Sequence, residues 1–170
     1  MRELTAAEEK TLIMTFKKRF AADIVETIVD RARGEVTHVI KKGAILGVCR
    51  ALKSEPDFKM NALSDVIGAE SGRSDLRFEV IYQLLAMGSR MRLRLKVRVG
   101  EGEEVDSVTS VWRSAGWAER EAYDMFGIVF KGHPDLRRIY MPEDFEGFPL
   151  RKDYPLRGYK DEFNPNGEER

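Results

Sequence analysis

The residues from Met91 to Val99 alternate without exception between apolar and basic side chains. A period of two is typical of a β-strand that has one buried face and one solvated face. Apolar residues also take alternate positions at Phe78, Val80, Tyr82 and Leu84, and the intervening Met87–Arg90 suits a hairpin turn. The sequence therefore predicts two antiparallel neighbours that bury one face. The solvated face of the second strand carries a basic stripe, formed by Arg92, Arg94, Lys96 and Arg98.

The flanking segments predict the rest of an α+β fold. Helical spacing of apolar residues predicts a first helix over Thr5–Asp30, opened by a Thr5/Glu8 capping box and ended by Gly34, with a break near Ala21 as the alternative. Spacing or a capping residue predicts further helices over Ala44–Lys53, over a segment from Asp106 or Ser107 through Trp112, and over Trp117–Phe126, ended by Gly127. β-Branched residues predict a strand over Val36–Ile40, and a strand is also favoured for the ambiguous Leu63–Ala69. We expect a small, largely antiparallel sheet with helices on one face.

Prolines punctuate the C-terminal part of the chain at Pro134, Pro142, Pro149 and Pro155. Prolines at this spacing forbid long helices and cannot donate within the middle of a sheet. The same stretch is nevertheless rich in large apolar residues, which disordered segments lack. We therefore predict an α+β domain over residues 1–127. A C-terminal strap, residues 128–170, follows it; we expect the strap to be extended and irregular and to take its order from a partner protein.

Short motifs follow one another along this part of the chain: Glu119-Arg120-Glu121, Tyr123–Ile128, Gly132–Ile139, Pro142–Gly147 and Pro149–Leu156. In this order they closely resemble the signature of one family, the C subunit (30-kDa subunit) of the proton-pumping NADH:quinone oxidoreductase, respiratory complex I. Two positions depart from the family pattern, since Phe148 stands where His is expected and Phe145 where Trp is expected. The resemblance implies that the signature residues dock to partners; they are Glu119, Arg120, Glu121, Tyr123, Asp124, Phe126, Gly127, His133, Pro134, Arg137, Arg138, Pro142, Pro149, Leu150, Arg151, Lys152, Asp153, Tyr154 and Pro155.

The resemblance also implies a role. Members of this family are non-catalytic structural subunits in the quinone module of the peripheral arm, where they hold neighbouring redox subunits in place. The implied partners are the 49-kDa-type D subunit and nearby Fe–S subunits. FMN, Fe–S clusters and quinone would be carried by other subunits and none by this chain. The implied location is peripheral, on the cytoplasmic face of the bacterial inner membrane, reached only through the complex.

Composition argues against several classes of function. Lys and Arg number 29 and so do Asp and Glu, a balance that disfavours a dedicated nucleic-acid binder. Cys49 is the only cysteine, and His38 and His133 are the only histidines. The chain alone therefore lacks the ligands of an Fe–S cluster or a structural zinc site. Because no apolar run reaches about 18 residues and no hydrophobic signal region opens the chain, we expect a cytosolic protein.

Each of the notable charged and polar residues has a structural interpretation and a functional one. The basic stripe is either a solvated sheet face, which is favoured, or a docking surface for an acidic partner. For the acidic residues of this region, ion pairing with nearby arginines is favoured over acid–base catalysis. The acids are Glu119, Glu121, Asp124 and the pair Glu143-Asp144, and the arginines are Arg120, Arg137, Arg138 and Arg151. His133, between Gly132 and Pro134, favours a turn residue over a metal ligand. No phosphate-binding loop or nucleophile elbow is present, so we expect no catalytic residue.

Two alternatives to complex I stay open at this point. Membrane-bound hydrogenases and related ferredoxin- or F420-dependent oxidoreductases use a similar subunit, and the electron donor cannot be inferred from this chain. A free-standing protein-interaction module is the other alternative. Co-purifying subunits would separate the first from complex I, and expression of the chain alone would test the second.

Overall fold

The computed structural model describes residues 6–30, 32, 35–160 and 164–169, with side chains from residue 10 onward. The described chain forms α1 (Ala6–Arg19), α2 (Ile45–Ser54), α3 (Ala115–Phe126), and the strands β1 (Ile24–Asp30), β2 (Glu35–Ile40), β3 (Ala62–Glu70), β4 (Phe78–Ala86), β5 (Met91–Val99), β6 (Glu104–Asp106) and β7 (Val129–Lys131). A 3-10 helix, Lys42–Ala44, precedes α2. None of the described helices is long and apolar enough to cross a membrane.

The first five strands form one mixed sheet in the order β1-β2-β5-β4-β3. All its neighbours are antiparallel except β2 and β5, which are parallel. The β4–β5 hairpin runs in unbroken register, from Phe78 opposite Val99 to Ala86 opposite Met91. Short β6 and β7 pair in parallel as a second sheet. The predicted α+β fold with a largely antiparallel sheet is confirmed, and so are β2, α2, β3 and the hairpin.

One face of the hairpin forms the centre of the core. Alternate residues of β4 and β5 are buried on it, among them Tyr82, Leu95 and Val97 with no exposed surface. Side chains of all three helices join the same buried cluster, including Phe16 of α1, Leu52 of α2 and Ala122 of α3. The helices therefore pack on the apolar face of the sheet, as period-two strands with one buried face require.

The opposite face carries the basic stripe, and most of its charge is neutralised within the sheet. Arg94 pairs with Glu35 of β2 at 2.5 Å and Lys96 with Glu79 of β4 at 2.7 Å. Arg98 pairs with Glu26 of β1 at 2.7 Å. Cross-strand pairs of opposite charge stabilise a sheet locally. This arrangement favours the solvated face over a docking surface for an acidic partner.

The uninterrupted helix predicted over Thr5–Asp30 is wrong in its second half, and the alternative break near Ala21 lies close to the observed helix end. The helix ends at Arg19, and Ile24–Asp30 forms β1, paired with β2. Ile24, Val25, Thr27, Ile28 and Val29 are β-branched, and such side chains favour a pleated strand over a helix. Thr5, Gly34 and the side chain of Glu8 lie outside what the structure describes, so the capping box and the Gly34 stop stay predictions.

The predicted helix from Asp106 or Ser107 through Trp112 is also wrong. Glu104–Asp106 is β6, and the chain then turns until α3 begins at Ala115. The groups that would open a helix here are used by tertiary contacts, because Ser107 and the amide of Val108 both donate to Glu119. The indole of Trp112 donates to the carbonyl of Met60, 3.1 Å away.

Candidate docking surface

Helix α3 and the turn after it provide the base on which the C-terminal strap lies. The helix was predicted over Trp117–Phe126 and spans Ala115–Phe126, with Gly127 in the left-handed conformation, φ +74°, at its C-terminus. Glycine adopts this conformation without a steric penalty. The amide of Gly127 bonds to the carbonyl of Tyr123 at 2.7 Å. The predicted helix end is confirmed.

Asp124 holds residues 138–141 of the strap. Its side chain is fully buried, and one carboxylate oxygen accepts the backbone N–H groups of Ile139, Tyr140 and Met141 at 3.0, 2.7 and 3.0 Å. The other oxygen accepts from Arg138 Nη1 at 2.8 Å. Burial opposes ionisation, but the N–H of Met141, the Arg138 guanidinium and the N–H groups of Tyr140 and Ile139 hold the pKa of Asp124 below its ordinary value. A single carboxylate thus fixes three consecutive residues of an irregular segment.

Two arginines add bonds to the same stretch of backbone. Arg138 donates from Nη2 to the carbonyls of Phe145 and Gly147, both at 2.9 Å. Arg120, on α3, donates to the carbonyls of Arg137 and Arg138, both at 3.0 Å. Guanidinium donors arranged in a rigid fork suit this task, because irregular backbone leaves carbonyls without ladder partners. The strap is therefore hydrogen-bonded to its own domain through side chains.

Arg151 holds the strap's second half against the end of α3. Its Nε donates to the carbonyl of Phe126 at 2.7 Å and its Nη1 to Glu101 at 2.7 Å. Its guanidinium lies 4.4 Å from the ring centre of Phe148 and 4.9 Å from that of Phe78. These distances are typical of cation–π contacts. Phe148, one of the two departures from the family pattern, therefore packs against Arg151.

Phe148 and Phe145 share a second guanidinium. Arg138 lies 5.2 Å from the ring centre of Phe148 and 5.6 Å from that of Phe145. Phe145 also contacts Tyr154, with ring centres 5.9 Å apart, and Tyr123 contacts Phe148 at 6.3 Å. At both departures a phenyl ring can supply the face that a cation needs.

Arg77, the residue immediately before β4, pairs with three carboxylates and joins the sheet to the strap. It pairs with Glu101 at 2.6 Å, with Asp153 at 2.7 Å and with Glu70 at 2.8 Å. The bond from Arg77 holds the pKa of Asp153 below its ordinary value. Glu70 also accepts the backbone N–H of Lys152 at 2.6 Å. Charge networks of this kind contribute more than isolated exposed pairs.

Glu119 is buried without an ionic partner among the described ion pairs. Its carboxylate accepts from Ser107 Oγ at 2.6 Å and from the N–H of Val108 at 2.8 Å. Burial raises the pKa of Glu119 from 4.5 to about 7, although the bonds from Ser107 and Val108 act in the opposite direction. This carboxylate joins α3 to the turn that follows β6. The predicted ion pair of Glu119 is therefore wrong, whereas that of Asp124 with Arg138 is present.

The remaining predicted residues have structural contacts or lie at the surface. His133 contacts the carbonyl of Gly116 through Nε2 and accepts the N–H of Asp135 at Nδ1, both at 3.0 Å, as a turn residue does. Within the described chain no group of three or more His, Cys, Asp or Glu side chains could hold a metal ion. Glu121 accepts from the Tyr140 hydroxyl at 3.4 Å, and exposed Arg137 pairs with Asp135 at 3.1 Å. Tyr154 donates its N–H to the Arg151 carbonyl. The carbonyls of Pro142 and Pro155 accept the N–H groups of Phe145 and Gly158, which closes two turns. Pro134 is exposed and Pro149 is half-buried.

Large apolar side chains are left on the outside of this anchored segment. Tyr140 is 61% exposed, Leu150 56% and Leu156 fully, and Trp117 on α3 is 68% exposed. Aromatic side chains are enriched at protein–protein interfaces, so these exposed groups make the strap a candidate docking surface. The strap therefore uses its polar groups on its own domain and presents apolar groups outward.

These contacts correct, for residues 137–152, the expectation that the strap takes its order from a partner, whereas docking of the strap to a partner stays a prediction. From Arg137 to Lys152, backbone groups bond to side chains of α3 and of the sheet. The predicted irregular course is present, and β7 is the strap's only described strand longer than a bridge. The division after Gly127 stays a prediction, although Ile128 and Phe130 just beyond it are buried in the core.

Gly127→Ala tests how tightly the strap is packed on α3. An added Cβ would lie 2.6 Å from Arg151 Nη2 and 2.6 Å from Phe148 Cε2, in addition to the strained φ of +74°. We expect a loss of about 2–4 kcal/mol in the free energy of unfolding. Gly132→Ala is the matched control, because Gly132 has φ +80° but nothing within 4 Å, and should cost about 1 kcal/mol. Equal losses in urea unfolding would contradict close packing at Gly127.

Sequence comparison with known proteins shows which family the chain is similar to. A family model described as "Respiratory-chain NADH dehydrogenase, 30 Kd subunit" matches residues 38–160. The chain is 52% identical over 146 residues to C subunit 2 of the NADH-quinone oxidoreductase of Rhizobium etli (strain CIAT 652), covering 85% of this chain and 78% of that protein.

Two further relatives extend the match. The chain is 46% identical over 153 residues to the C subunit of the NADH-quinone oxidoreductase of Geotalea uraniireducens (strain Rf4), covering 89% and 91% of the two chains. It is 46% identical over 143 residues to the C subunit of the same enzyme from Bartonella quintana (strain Toulouse), covering 84% and 70%. The resemblance seen in the sequence motifs is confirmed: this chain belongs to the family of the 30-kDa subunit of the respiratory-chain NADH dehydrogenase, the C subunit of NADH-quinone oxidoreductase.

Proposed function

We propose that this chain is a structural, non-catalytic subunit of the peripheral arm of a proton-pumping NADH:quinone oxidoreductase. The observation that carries the proposal is the outward display of Tyr140, Leu150 and Leu156 on a segment whose backbone is anchored to its own domain. A pre-organised apolar surface binds with less loss of conformational entropy than a disordered segment does. Such a surface suits a subunit that holds redox neighbours at fixed positions.

The proposed partners are the 49-kDa-type D subunit and neighbouring Fe–S subunits. FMN, Fe–S clusters and quinone would lie on those and other subunits, and the chain would carry no cofactor itself. It would be peripheral, at the cytoplasmic face of the bacterial inner membrane, and attached only through the complex. Its contribution to electron transfer would be positional, because cofactor geometry depends on rigid surroundings.

A pull-down from membranes tests this function. An affinity tag on the chain should recover the other complex I subunits in equal amounts, together with bound flavin and NADH-oxidising activity. The isolated chain should be colourless and inactive with NADH. Recovery of a hydrogenase or of a ferredoxin- or F420-dependent module instead of a flavin-containing one would favour the sister complexes, and recovery of no stoichiometric partner would contradict the proposal.

Leu156→Asp tests whether the exposed apolar side chains of the strap are needed to bind the other subunits. Because Leu156 is fully exposed, the change should leave the fold intact but place a charge in an apolar interface, so we expect about tenfold less partner recovered in the same pull-down. Val25→Asp is the matched control, since Val25 is 59% exposed on β1, outside the strap. Equal recovery for Leu156→Asp and Val25→Asp would count against docking through the strap.

A further inference from the structure

Two buried side chains lie close enough to the carboxyl group of Glu119 to respond to its charge. Cys49 of α2 and Tyr82 of β4 have no exposed surface, and neither has Glu119 itself. Burial raises the pKa of the Cys49 thiol, and the charge of Glu119 raises it further. Burial also raises the pKa of the Tyr82 hydroxyl, with smaller contributions from Cys49, Glu119 and half-buried Asp106 of β6. Near neutral pH, Cys49 and Tyr82 are therefore uncharged and do not offset a negative charge on Glu119, which favours its protonated form.

A chain of hydroxyl groups leads from Glu119 towards the surface. Ser107 Oγ lies 2.6 Å from Glu119 Oε2, and Thr109 Oγ1 lies 2.8 Å from Ser107 Oγ. Ser107 is buried, Thr109 is half-buried and Ser110 after it is exposed. Two hydrogen bonds thus connect a fully buried carboxyl group to a residue that contacts solvent.

Each bond of this chain works in either direction, because a hydroxyl group both donates and accepts. When Glu119 is ionised, Thr109 donates to Ser107 and Ser107 donates to the carboxylate. When Glu119 is protonated, its carboxyl group donates to Ser107 and Ser107 donates to Thr109. In both states the N–H of Val108 donates to Glu119 Oε1 at 2.8 Å, and the N–H of Thr109 donates to Ser107 Oγ at 3.2 Å. The two states therefore differ in hydrogen positions and share one arrangement of the heavier atoms.

We propose that Glu119 is a buried proton-binding site that exchanges its proton with solvent through the hydroxyl groups of Ser107 and Thr109. On uptake, a hydronium ion gives a proton to Thr109 Oγ1, the Thr109 hydroxyl proton passes to Ser107 Oγ, and the Ser107 hydroxyl proton passes to Glu119 Oε2. A water molecule remains in solvent and the carboxylate becomes a neutral acid, so atoms and charge balance. Release is the reverse sequence.

The site fills and empties in the neutral range. Burial raises the pKa of Glu119 to about 7, although the bonds from Ser107 and Val108 act in the opposite direction. Glu119 lies on α3, the same helix whose Asp124 holds the strap. The charge inside the helix that carries the strap therefore follows the surrounding pH. This site belongs to the chain alone and does not depend on the proposed assembly.

Thr109→Val tests the hydroxyl relay, because it removes the outer hydroxyl group and leaves both bonds that Glu119 accepts. A rapid drop from about pH 8 to about pH 6 should protonate Glu119, and the infrared C=O stretch of the neutral carboxyl group reports this uptake in the purified full chain. Subtraction of the spectrum of Glu119→Gln assigns the band. We expect Thr109→Val to take up the proton about a hundredfold more slowly than wild type, with an unchanged midpoint pH.

Thr109→Ser is the matched control, because serine keeps the hydroxyl group, and it should take up the proton at the wild-type rate. Equal rates in Thr109→Val and Thr109→Ser would overturn the relay. A wild-type spectrum in which the Glu119 band does not change between the two pH values would overturn the binding site itself.

Urea at concentrations below the unfolding transition distinguishes the relay from local opening of the turn around Val108. Local opening exposes more surface and becomes more frequent as urea is added, whereas the relay acts in the closed structure. We expect the wild-type rate of proton uptake to stay constant over this range. A rate that rises with urea, in step with amide hydrogen exchange at Val108, would overturn the relay. This measurement needs no variant and therefore decides the question even where Thr109→Val fails to fold.

Discussion

Asp124→Ala is expected to lower the free energy of unfolding by about 3–5 kcal/mol, the range found when one partner of a buried ion pair is removed. Four donors lose their acceptor together: the N–H groups of residues 139, 140 and 141 and the guanidinium of Arg138. Arg138 would keep its positive charge in a site where its side chain is only 13% exposed. Unsatisfied buried donors are costly, because folding has already removed their water.

Urea unfolding followed by circular dichroism measures the loss, and limited trypsin digestion locates it. We expect earlier cleavage at Arg137 and Lys152 in Asp124→Ala than in wild type, because both lie in the released segment. Asp135→Ala is the control, since Asp135 is an exposed carboxylate paired with Arg137 at 3.1 Å, and exposed pairs contribute about 0–1 kcal/mol. Similar losses for the two alanine variants would show that Asp124 does not hold the strap.

Glu119→Gln is expected to abolish a pH dependence of stability between about pH 4.5 and 7. Burial raises the pKa of Glu119 from 4.5 to about 7 in the folded protein. Within that window the folded state keeps a proton that the unfolded chain has lost, so stability falls as pH rises and levels off above the folded pKa. At about 1.4 kcal/mol per pKa unit, the full change is roughly 3 kcal/mol. Glutamine is neutral at every pH and keeps an oxygen that can accept the N–H of Val108.

The measurement is the difference in unfolding free energy between wild type and Glu119→Gln from pH 4.5 to 8. We expect this difference to shift by roughly 3 kcal/mol in favour of the variant as pH rises. Glu121→Gln is the control on the same helix, because Glu121 is exposed and its removal should leave the slope unchanged. A constant difference for Glu119→Gln across the range would contradict a buried carboxylate with a raised pKa.

Local patterns predicted the fold where one periodicity was unambiguous. Met91–Val99 alternates so strictly that only a strand with one buried face fits it, and Gly127 ended α3 as its conformational freedom suggested. The segment after Arg19 was misassigned because Phe20, Ile24 and Ile28 repeat every four residues, which also fits a helix. Pairing with β2 decides the outcome there, and such pairing is a non-local contact that spacing does not reveal.

The same distinction applies to the candidate surface. The pairing of Asp124 with a strap arginine was predictable, because acids on α3 and arginines nearby lie close in sequence. Glu70, Arg77 and Glu101, which hold Lys152, Asp153 and Arg151 respectively, were missed because they come from distant strands and loops. The burial of Glu119 was also missed, since its acceptor contacts with Ser107 and Val108 depend on tertiary packing. Short sequence motifs cannot predict contacts between residues that are distant in sequence and meet only when the sheet forms.

Amide hydrogen exchange on the isolated chain tests most directly whether the strap is ordered by its own domain. The amides of Ile139, Tyr140 and Met141 bond to Asp124 and should exchange at least about a hundredfold more slowly than the amide of Asp144 in the exposed turn. Asp124→Ala should remove that protection while leaving the β4–β5 hairpin protected. Exchange of all four wild-type amides at the same fast rate, with protection only inside the assembled complex, would contradict the account.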